Sequence, residues 1–322
     1  MENAKVCITG GAGFIGSHLA EDCLSHGALV TIVDNFSRGK LKNIRNLYKN
    51  VRVLNLDLRE STACDIAVKN QDIVFNLAAF NTGVDYDVGH THIMFKENML
   101  LQMLPIIAAV QQPVKMFVQV SSASIYSPAA MEQRIPTNES DDKGDPEPSK
   151  LGYALAKQMG EHLARWCGEI QTMKTVIARF TNVYGPRDHF DKLGHFIPTV
   201  IRKFHNSNTS VEIFGSGSQR RSFLHVKDAT QALLLLSQKG ENGEAYNIDP
   251  HDEHSIKEIV FQIRKIMNKT SVDVLFNQKL PEGSKRRLLD NAKIKNLGWV
   301  PQRTLMQSLP TLVDDITKQI NP

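Results

Sequence analysis

Cysteine is scarce. The 322 residues contain four, Cys7, Cys23, Cys64 and Cys167, set far apart with no Cys-x-x-Cys pair and no Cys/His cluster at zinc spacing. That excludes a disulfide-stapled scaffold and a zinc-ribbon-like site. Cys7 and Cys23 stand on apolar faces and read as core, and reduced thiols fit a cytoplasmic compartment. Long apolar runs are missing as well: Ala232–Leu236 falls far short of a membrane span. The chain passes from Met1 straight into a strand pattern, which leaves no room for a signal peptide. No Lys/Arg block suggests a nucleic-acid arm, and a formal charge of +4 is small for this length. Internal repeats, low-complexity tracts and a linker-like stretch are also lacking. What remains is an ordinary globular composition, 41% apolar and 22% charged, long enough for one large or two medium domains. The expectation is a soluble intracellular protein that engages neither nucleic acid nor membrane nor a bound metal.

What is present is a glycine pattern. Thr9-Gly10-Gly11-Ala12-Gly13-Phe14-Ile15-Gly16-Ser17-His18 follows the apolar run Val6-Cys7-Ile8 and leads into a helical pattern of Phe14, Ile15, Leu19, Cys23 and Leu24. Strand, glycine turn, helix is the context that a dinucleotide-binding turn requires. Glycine serves a tight turn, a close backbone approach to a pyrophosphate, and close packing of the helix on its strand. The helix N-terminus adds free N–H groups and a positive dipole end. A second strand, Ala28–Val33, ends in Asp34, where an acid is expected to hold an adenosine ribose. A carboxylate there repels a 2′-phosphate, which favours NAD over NADP. Arg38, in the polar loop Asn35-Phe36-Ser37-Arg38-Gly39, tempers that preference.

Further strands are expected at Val51–Leu56, followed by Asp57-Leu58; at Asp72–Leu77, followed by Ala78-Ala79; and at Lys115–Val120, running into Ser121-Ser122-Ala123-Ser124-Ile125-Tyr126. Lys96–Val110 is helical in pattern, with a kink expected at Pro105. Strands separated by helices, with little alternation inside the strands, indicate a parallel sheet covered on both faces. The fold class is therefore α/β: a Rossmann-type doubly wound parallel sheet over residues 1–180, with a smaller mixed α/β C-terminal lobe over 181–322. The boundary is approximate, and the chain is free to cross between lobes. Ligands of such sheets bind beyond the strand carboxyl ends, and the glycine turn, Asp34, Asp57, Ala78-Ala79 and Ser122 all fall there. The acidic, proline-rich stretch from Pro128 to Pro148 reads as a surface loop. Leu151–Cys167 is an amphipathic helix, Thr175–Ala178 a strand, and helical patterns recur at Pro198–His205, Asp228–Ser237, Ser255–Met267 and Leu305–Thr317.

Tyr153 and Lys157 stand four apart on the amphipathic helix, so both project from one face. A phenol with a reference pKa of about 10 acts as a base at neutral pH only if that value falls, at roughly 1.4 kcal/mol per unit. A neighbouring ammonium and a positive nicotinamide ring both favour the phenolate. The pair gains meaning from its place, downstream of the dinucleotide turn and of Ser121–Ser124.

Taken together, these motifs resemble an extended short-chain dehydrogenase/reductase of the nucleotide-sugar epimerase/dehydratase type. Further matches are Leu77-Ala78-Ala79, Asn98, Arg179–Pro186, Gly215–Arg221 with Phe223-Leu224-His225-Val226, Tyr246-Asn247-Ile248 and Leu297-Gly298-Trp299, so the resemblance spans nearly the whole chain. It implies that Gly10, Gly13, Phe14, Ile15 and Gly16 border the pyrophosphate of NAD. Asp34, Asn35, Ser37 and Arg38 would lie at the ribose, Asp57 and Leu58 at the adenine, and Leu77, Ala78, Ala79 and Asn98 along the cofactor. Lys157 would hold the nicotinamide ribose and lower the pKa of Tyr153, Tyr153 would take a proton from a sugar hydroxyl, usually at C4, and Ser122 would bond the same oxygen. Asn182 and Arg221 would face a nucleotide-sugar diphosphate, with Arg286 joining them. Either Arg220 or Arg221 is open to that role.

Members of this family share a 4-keto intermediate and differ in the reaction it then undergoes. The acidic residues that 4,6-dehydratases and UDP-glucuronate decarboxylases carry after Ser122 are here Ala123 and Ser124, which removes weight from those reactions. Thr82–Asn98, with His90 and Ile93-Met94-Phe95, is similar to GDP-mannose 3,5-epimerase. Val183–Pro186, Asp188, Phe190, Gly194–Pro198 and Arg202, together with Pro281–Asp290, are similar to GDP-fucose synthase. Both families place a cysteine base where this chain has Ser124, whereas the fucose synthase acid matches His195. His195 is open to three roles: protonating a ring carbon, contacting a hydroxyl, or capping the helix after it. The expected activity is an NAD-dependent nucleotide-sugar epimerase, best a 4-epimerase, on a GDP- or UDP-sugar. The alternatives are a GDP-sugar 3,5-epimerase/4-reductase type, or a dehydratase or 4-dehydrogenase. A non-catalytic NAD-binding sensor is a reading from another class, against which Ser122, Tyr153 and Lys157 stand together. The resemblance also implies a homodimer joined through helices within Lys96–Val110 and Leu151–Cys167.

Overall fold

Runs such as Val6-Cys7-Ile8, Val30–Val33 and Phe117-Val118 are apolar on both sides and form strands buried on both faces. The computed structural model describes all residues except 82–83, 171–172, 190–193, 281–282 and 321–322. In chain order the elements are β1 (Lys5–Thr9), α1 (Phe14–Ser25), β2 (Leu29–Asp34), α2 (Leu41–Ile44), β3 (Val51–Asn55), α3 (Ser61–Val68), β4 (Ile73–Asn76), α4 (Val84–Gly89), α5 (Thr91–Val110), β5 (Met116–Ser122), α6 (Pro128–Gln133), α7 (Leu151–Ile170) and β6 (Lys174–Phe180). Shorter strands come next. They are β7 (Asn182–Tyr184), α8 (Phe196–Asn206), β8 (Ser210–Phe214), β9 (Arg220–His225), α9 (Val226–Lys239), β10 (Ala245–Ile248), β11 (Glu253–Ser255), α10 (Ile256–Ile266), β12 (Asp273–Asn277), β13 (Arg286–Arg287), α11 (Ala292–Asn296) and α12 (Leu305–Ile320), strands and their intervening helices together.

The main sheet has the order β10-β6-β5-β4-β1-β2-β3, with every neighbouring pair parallel. Strand order reverses between β1 and β4, which is where a doubly wound sheet opens a ligand crevice. β10 pairs with β6, and α9 packs on α1. Lys227 holds Asp22 at 2.9 Å, and Arg187 pairs with Glu21, so the loop after β7 and α9 are stitched to α1. The second lobe centres on β9, flanked by β13, β11 and β7, with a separate β8–β12 pair. Its own core is built from α8, α10 and α12 around residues such as Ile201, Phe204, Ile259 and Leu309.

Three expectations need correction. Pro128–Pro148 is not a free surface loop; it begins with α6 and is pinned by Arg179, which holds Asp142 at 2.6 Å and donates to the Glu139 carbonyl at 2.8 Å. Arg179 is fully buried beside Glu161 at 2.6 Å, and a charge so placed is tolerable only when paired. The helix expected at Lys96–Val110 starts at Thr91 and runs through Pro105 as one helix. That helix, α5, is also long and apolar enough to span a membrane by length and composition, contrary to expectation. It packs along α7 with Asn98 and Gln102 fully buried, and 39% of its apolar window is buried. The four cysteines are buried and free, and burial pushes the Cys7, Cys23 and Cys64 thiols up to about 12.

Candidate active site

A cleft of about 840 Å³ opens at the carboxyl ends of the main sheet, between the two lobes. Its floor is the turn from β1 into α1. Gly10 has φ +63°, and a side chain on Gly16 would place Cβ 2.3 Å from the Gly10 carbonyl oxygen, so the helix can pack this closely only with glycine there. Gly13 is the N-cap of α1 and offers no side-chain cap, so the first-turn N–H groups remain directed at the cleft. The turn is braced from below. Thr9 Oγ1 donates to Asn76 Oδ1 at 2.8 Å and accepts from the Leu77 and Ala78 amides at 3.0 Å each.

At the β2 end of the floor, Asp34 accepts the Ala12 amide at 3.0 Å and the Phe36 amide at 2.9 Å. Burial raises its pKa, and those two bonds oppose the rise. Each carboxylate oxygen keeps capacity for a further donor. Asp57 accepts from Asn35 Nδ2 at 3.2 Å and from Arg59 Nε at 2.9 Å, and Arg59 holds it well below the usual carboxylate range.

At the other end of the floor, Tyr153 and Lys157 project from α7 toward Ser122 at the end of β5. The Tyr153 phenol is hydrogen-bonded to the Ser122 hydroxyl. Burial raises its pKa, the Ser122 bond lowers it, and the charge of Asp87 raises it; the net direction is upward, against the fall expected from a neighbouring Lys157 ammonium, because burial outweighs the other influences. Ser122 Oγ also accepts the Ser124 amide at 3.1 Å and donates to Ser124 Oγ at 3.2 Å, so the turn after β5 fixes its position. Lys157 Nζ donates to the Val120 carbonyl at 2.7 Å and to Gln102 Oε1 at 3.1 Å. That leaves one of its three donors for a ligand. Burial lowers its pKa to about 7. Gln102 is a residue the sequence reading missed; it belongs to a buried file of amides, Asn76, Gln119 and Gln102, that connects the glycine turn to Lys157.

The second lobe supplies the roof. Because β13 pairs in register with β9, Arg286 lies beside Arg220 and Arg287 beside Arg221. Side chains alternate along a strand. Arg220 and Arg286 share the outer face, where both pair with Glu253, Arg286 at 2.7 Å. Arg221 and Arg287 line the cleft. The register thus selects Arg221 over Arg220, and it replaces Arg286 by Arg287. Arg287 holds Glu147 at 3.2 Å, and its buried Nε has no partner among the described residues. Asn182 donates to the Ser222 carbonyl at 3.1 Å. His195 is the N-cap residue of α8, but its side chain makes no capping bond; its Nδ1 lies 2.8 Å from Asp188 Oδ1. The Asp188 charge raises its pKa.

All the site residues expected from sequence line this one cleft, with two exceptions. Arg286 is the first. Asn98 is the second: fully buried, it donates to the Phe80 and Met94 carbonyls at 2.8 Å each and accepts the Phe80 amide at 2.9 Å, which fixes the chain after β4 rather than facing a ligand. Thr82, Phe190, Pro281 and Glu282 of the matched motifs lie outside the described residues. The uncapped helix start, the glycine cradle and the partly engaged Asp34 fit a dinucleotide.

Comparison with known proteins agrees with this geometry. A UDP-N-acetyl-alpha-D-glucosaminuronate decarboxylase of Bacillus cytotoxicus is 32% identical over 305 residues, 91% of each chain. Among solved structures, a UDP-N-acetylglucosamine 4-epimerase of Methanobrevibacter ruminantium superposes with a TM-score of 0.88 at 26% identity, covering 99% of this chain and 100% of that one. A Thermus thermophilus UDP-glucose 4-epimerase in complex with NAD superposes with a TM-score of 0.82 at 26% identity, over 97% and 98% of the two chains. The family model for the NAD-dependent epimerase/dehydratase family matches residues 6–249. The chain therefore belongs to the NAD-dependent epimerase/dehydratase family, as an NAD-dependent enzyme of the extended short-chain dehydrogenase/reductase class.

Proposed function

We propose that the protein is a nucleotide-sugar 4-epimerase acting through a transient 4-keto sugar. The reading rests above all on what surrounds Ser122 and Tyr153. Ala123 and Ser124 stand where a dehydratase needs an acid/base pair. The carboxylates on the described cleft wall, Asp34, Asp57, Glu97 and Asp188, are engaged by backbone amides, Arg59 or His195. Epimerisation at C4 needs no further acid or base. When bound, NAD supplies the hydride acceptor and returns the hydride. Gly10, Gly13 and Gly16 with the first-turn amides of α1 hold its pyrophosphate, Asp34 its adenosine ribose, and Lys157 the ribose near Tyr153. Tyr153 takes the proton of the sugar C4 hydroxyl, and Ser122 holds the same oxygen. Arg221 and Arg287 bind the diphosphate, a task suited to the bidentate guanidinium. The UDP-sugars named for the relatives favour UDP over GDP.

A second reading, the GDP-sugar 3,5-epimerase/4-reductase type, draws support from the His195–Asp188 pair in the cleft roof. Pairing of two copies through α5 and α7 is supported by the exposed apolar side chains Phe95, Ile107, Met159 and Trp166 on those helices. Sedimentation as a monomer at micromolar concentration would refute it. Buried, unpaired thiols favour a cytoplasmic setting.

The test is NMR of the purified protein with NAD and a panel of UDP-, GDP- and dTDP-sugars in deuterated water. One sugar should yield its C4 epimer without solvent deuterium at C4. Failure to invert C4 of any sugar overturns the reading.

A further inference from the structure

Behind the cleft floor, a row of polar side chains crosses the sheet without lining the cleft. Thr9, Asn76 and Gln119 are register partners on β1, β4 and β5, so their side chains share one face, and α5 covers that face with Gln102. Thr9 Oγ1 donates to Asn76 Oδ1 at 2.8 Å, and Asn76 Nδ2 donates to Gln119 Oε1 at 3.2 Å. Gln119 Nε2 donates to Gln102 Oε1, and Lys157 Nζ donates to that same oxygen at 3.1 Å. All four are fully buried and Lys157 is 1% exposed, so bulk water completes none of these bonds.

The row has one direction. A hydroxyl has one proton and two lone pairs, and a carboxamide accepts at one end and donates at the other. Thr9 Oγ1 accepts the Leu77 and Ala78 amides at 3.0 Å each, so its proton goes to Asn76. Asn76 then shows its NH2 to Gln119, where it also meets the Leu101 carbonyl at 3.1 Å, and Gln119 shows its NH2 to Gln102. Gln102 is left with its oxygen toward both Gln119 and Lys157. Turning it round would set NH2 against the ammonium and against the Gln119 NH2 at once. The room for Gln102 is made on α7. Gly160 stands three residues after Lys157, and a Cβ there would lie 2.9 Å from Gln102 Cβ and 3.1 Å from its Cγ.

We infer that Gln102 is a positioning residue for Lys157: its oxygen, aimed by a one-way row of amides that starts at Thr9 under the glycine turn, holds the ammonium beside the Val120 carbonyl with the remaining N–H left for the cleft. The surroundings leave this oxygen decisive. Burial draws the Lys157 proton off, and Glu161 is the charge that opposes the loss. Glu161 is itself held by Arg179 and Ser121, and Tyr153, its ring 5.7 Å from Nζ, is the other titratable group beside Lys157. An acceptor on the ammonium favours the charged form. The amides that Thr9 binds belong to Leu77 and Ala78, which line the cleft, so the row also ties that wall to Lys157.

What Lys157 does for the sugar rests on the nucleotide-sugar reading; its placement by Gln102 does not. The placement is tested on the full-length protein by NMR titration of lysine labelled at Cε, with Lys157→Met identifying the signal. The wild-type midpoint should lie at about 7. In Gln102→Leu it should fall by about one pH unit, and in Gln102→Glu, which still accepts from Gln119 and adds a charge, it should rise by about as much. General damage to packing does not produce opposite displacements. Gly160→Ala, which changes only where Gln102 sits, should lower the midpoint. Thr9→Val should lower it from the far end of the row, and Thr9→Ser should leave it in place.

A midpoint unmoved in both Gln102 variants, or moved the same way in both, overturns the inference. Gly160→Ala takes the place of Gln102→Leu should that variant fail to fold. An unmoved midpoint in Thr9→Val overturns the reach of the row to the glycine turn. Under the epimerase reading, the alkaline limb of C4 inversion should move down in Gln102→Leu and up in Gln102→Glu. A limb that stays fixed while the midpoints move takes Lys157 out of the chemistry and leaves its placement standing. Absence of any C4 chemistry in the wild type removes the epimerase reading instead, and the titration alone then judges the placement.

Discussion

On the cofactor side of the cleft, Tyr153 and Lys157 stand on α7, and the other groups sit where a parallel strand ends: the glycine turn after β1, Asp34 closing β2, Leu77–Ala79 after β4, and Ser122 closing β5. On the substrate side, strands of two to six residues pair around β9, and the cleft-facing arginines come from two of them. The first surface is assembled from local backbone geometry on a rigid sheet. The second is assembled by tertiary register, so shifting β13 by one residue would exchange Arg286 and Arg287 between cleft and solvent. A change on one side should therefore leave the chemistry of the other recognisable.

Tyr153→Phe should break the cofactor side most severely. Losing a positioned acid/base group costs typically about 10²- to 10⁴-fold in rate. NAD affinity should stay near its original value, because the phenol bonds Ser122 and not the glycine turn. Quantifying C4 inversion and NAD binding on the same preparation separates the two. Activity unchanged in this variant would remove Tyr153 from the chemistry.

Arg287→Ala should produce the largest effect on the substrate side. It removes a cleft cation and strands Glu147, which is buried and also accepts from Ser284 at 2.5 Å. Breaking one member of a buried pair typically costs about 3–5 kcal/mol. The expected outcome is a raised KM for the nucleotide sugar and a lower Tm, with NAD affinity retained. Equal losses of NAD and sugar binding would contradict the division of the cleft.

The same contrast explains why one side could be read from sequence and the other only in part. A glycine turn between a strand and a helix has few alternative meanings, and Asp34, Ser122, Tyr153 and Lys157 were all placed from their positions relative to strand ends and helix faces. Asn98 was assigned to the cofactor because its motif matched; its amide is spent on the backbone at Phe80 and Met94. Gln102 escaped notice because a glutamine in an apolar helix carries no spacing signal, and only the packing of α5 on α7 brings it to Lys157. In Arg286-Arg287 both residues fit the motif, and only pairing with β9 tells them apart. The return of β10 to the main sheet also rests on a long-range pairing that a four-residue strand does not announce.

Gly16→Ala sharpens the claim that backbone geometry makes the cofactor side. The added methyl would lie 2.3 Å from the Gly10 oxygen and 2.8 Å from Gly11 Cα, both backbone atoms that cannot step aside cheaply. Overpacking of this kind costs typically about 1–3 kcal/mol, read by denaturant unfolding, and NAD affinity should fall with it. A variant that binds NAD normally would show the turn to be less tightly built than these distances imply.

Lys157 adds a pH signature to the same side. Its pKa is about 7 in the folded protein and 10.5 in its reference state, so between those values the unfolded chain binds more protons and stability rises with pH. Below about 7 both states are protonated and the dependence vanishes. Wild type measured against Lys157→Met should therefore gain up to about 1.4 kcal/mol per pH unit across that window. A flat difference would mean that the ammonium is better solvated than its bonds to Val120 and Gln102 imply.

Arg286→Ala carries the smallest expected effect and tests register most cleanly. Its guanidinium is 42% exposed and pairs with Glu253, which Arg220 also serves. An exposed pair of this kind contributes about 0–1 kcal/mol. Stability, NAD affinity and the KM for the nucleotide sugar should all stay close to wild type, in contrast to the neighbouring Arg287→Ala. If the two variants exchange behaviour, β13 pairs with β9 one residue away from the Arg287–Arg221 register, and the arginine that faces the diphosphate is the other one.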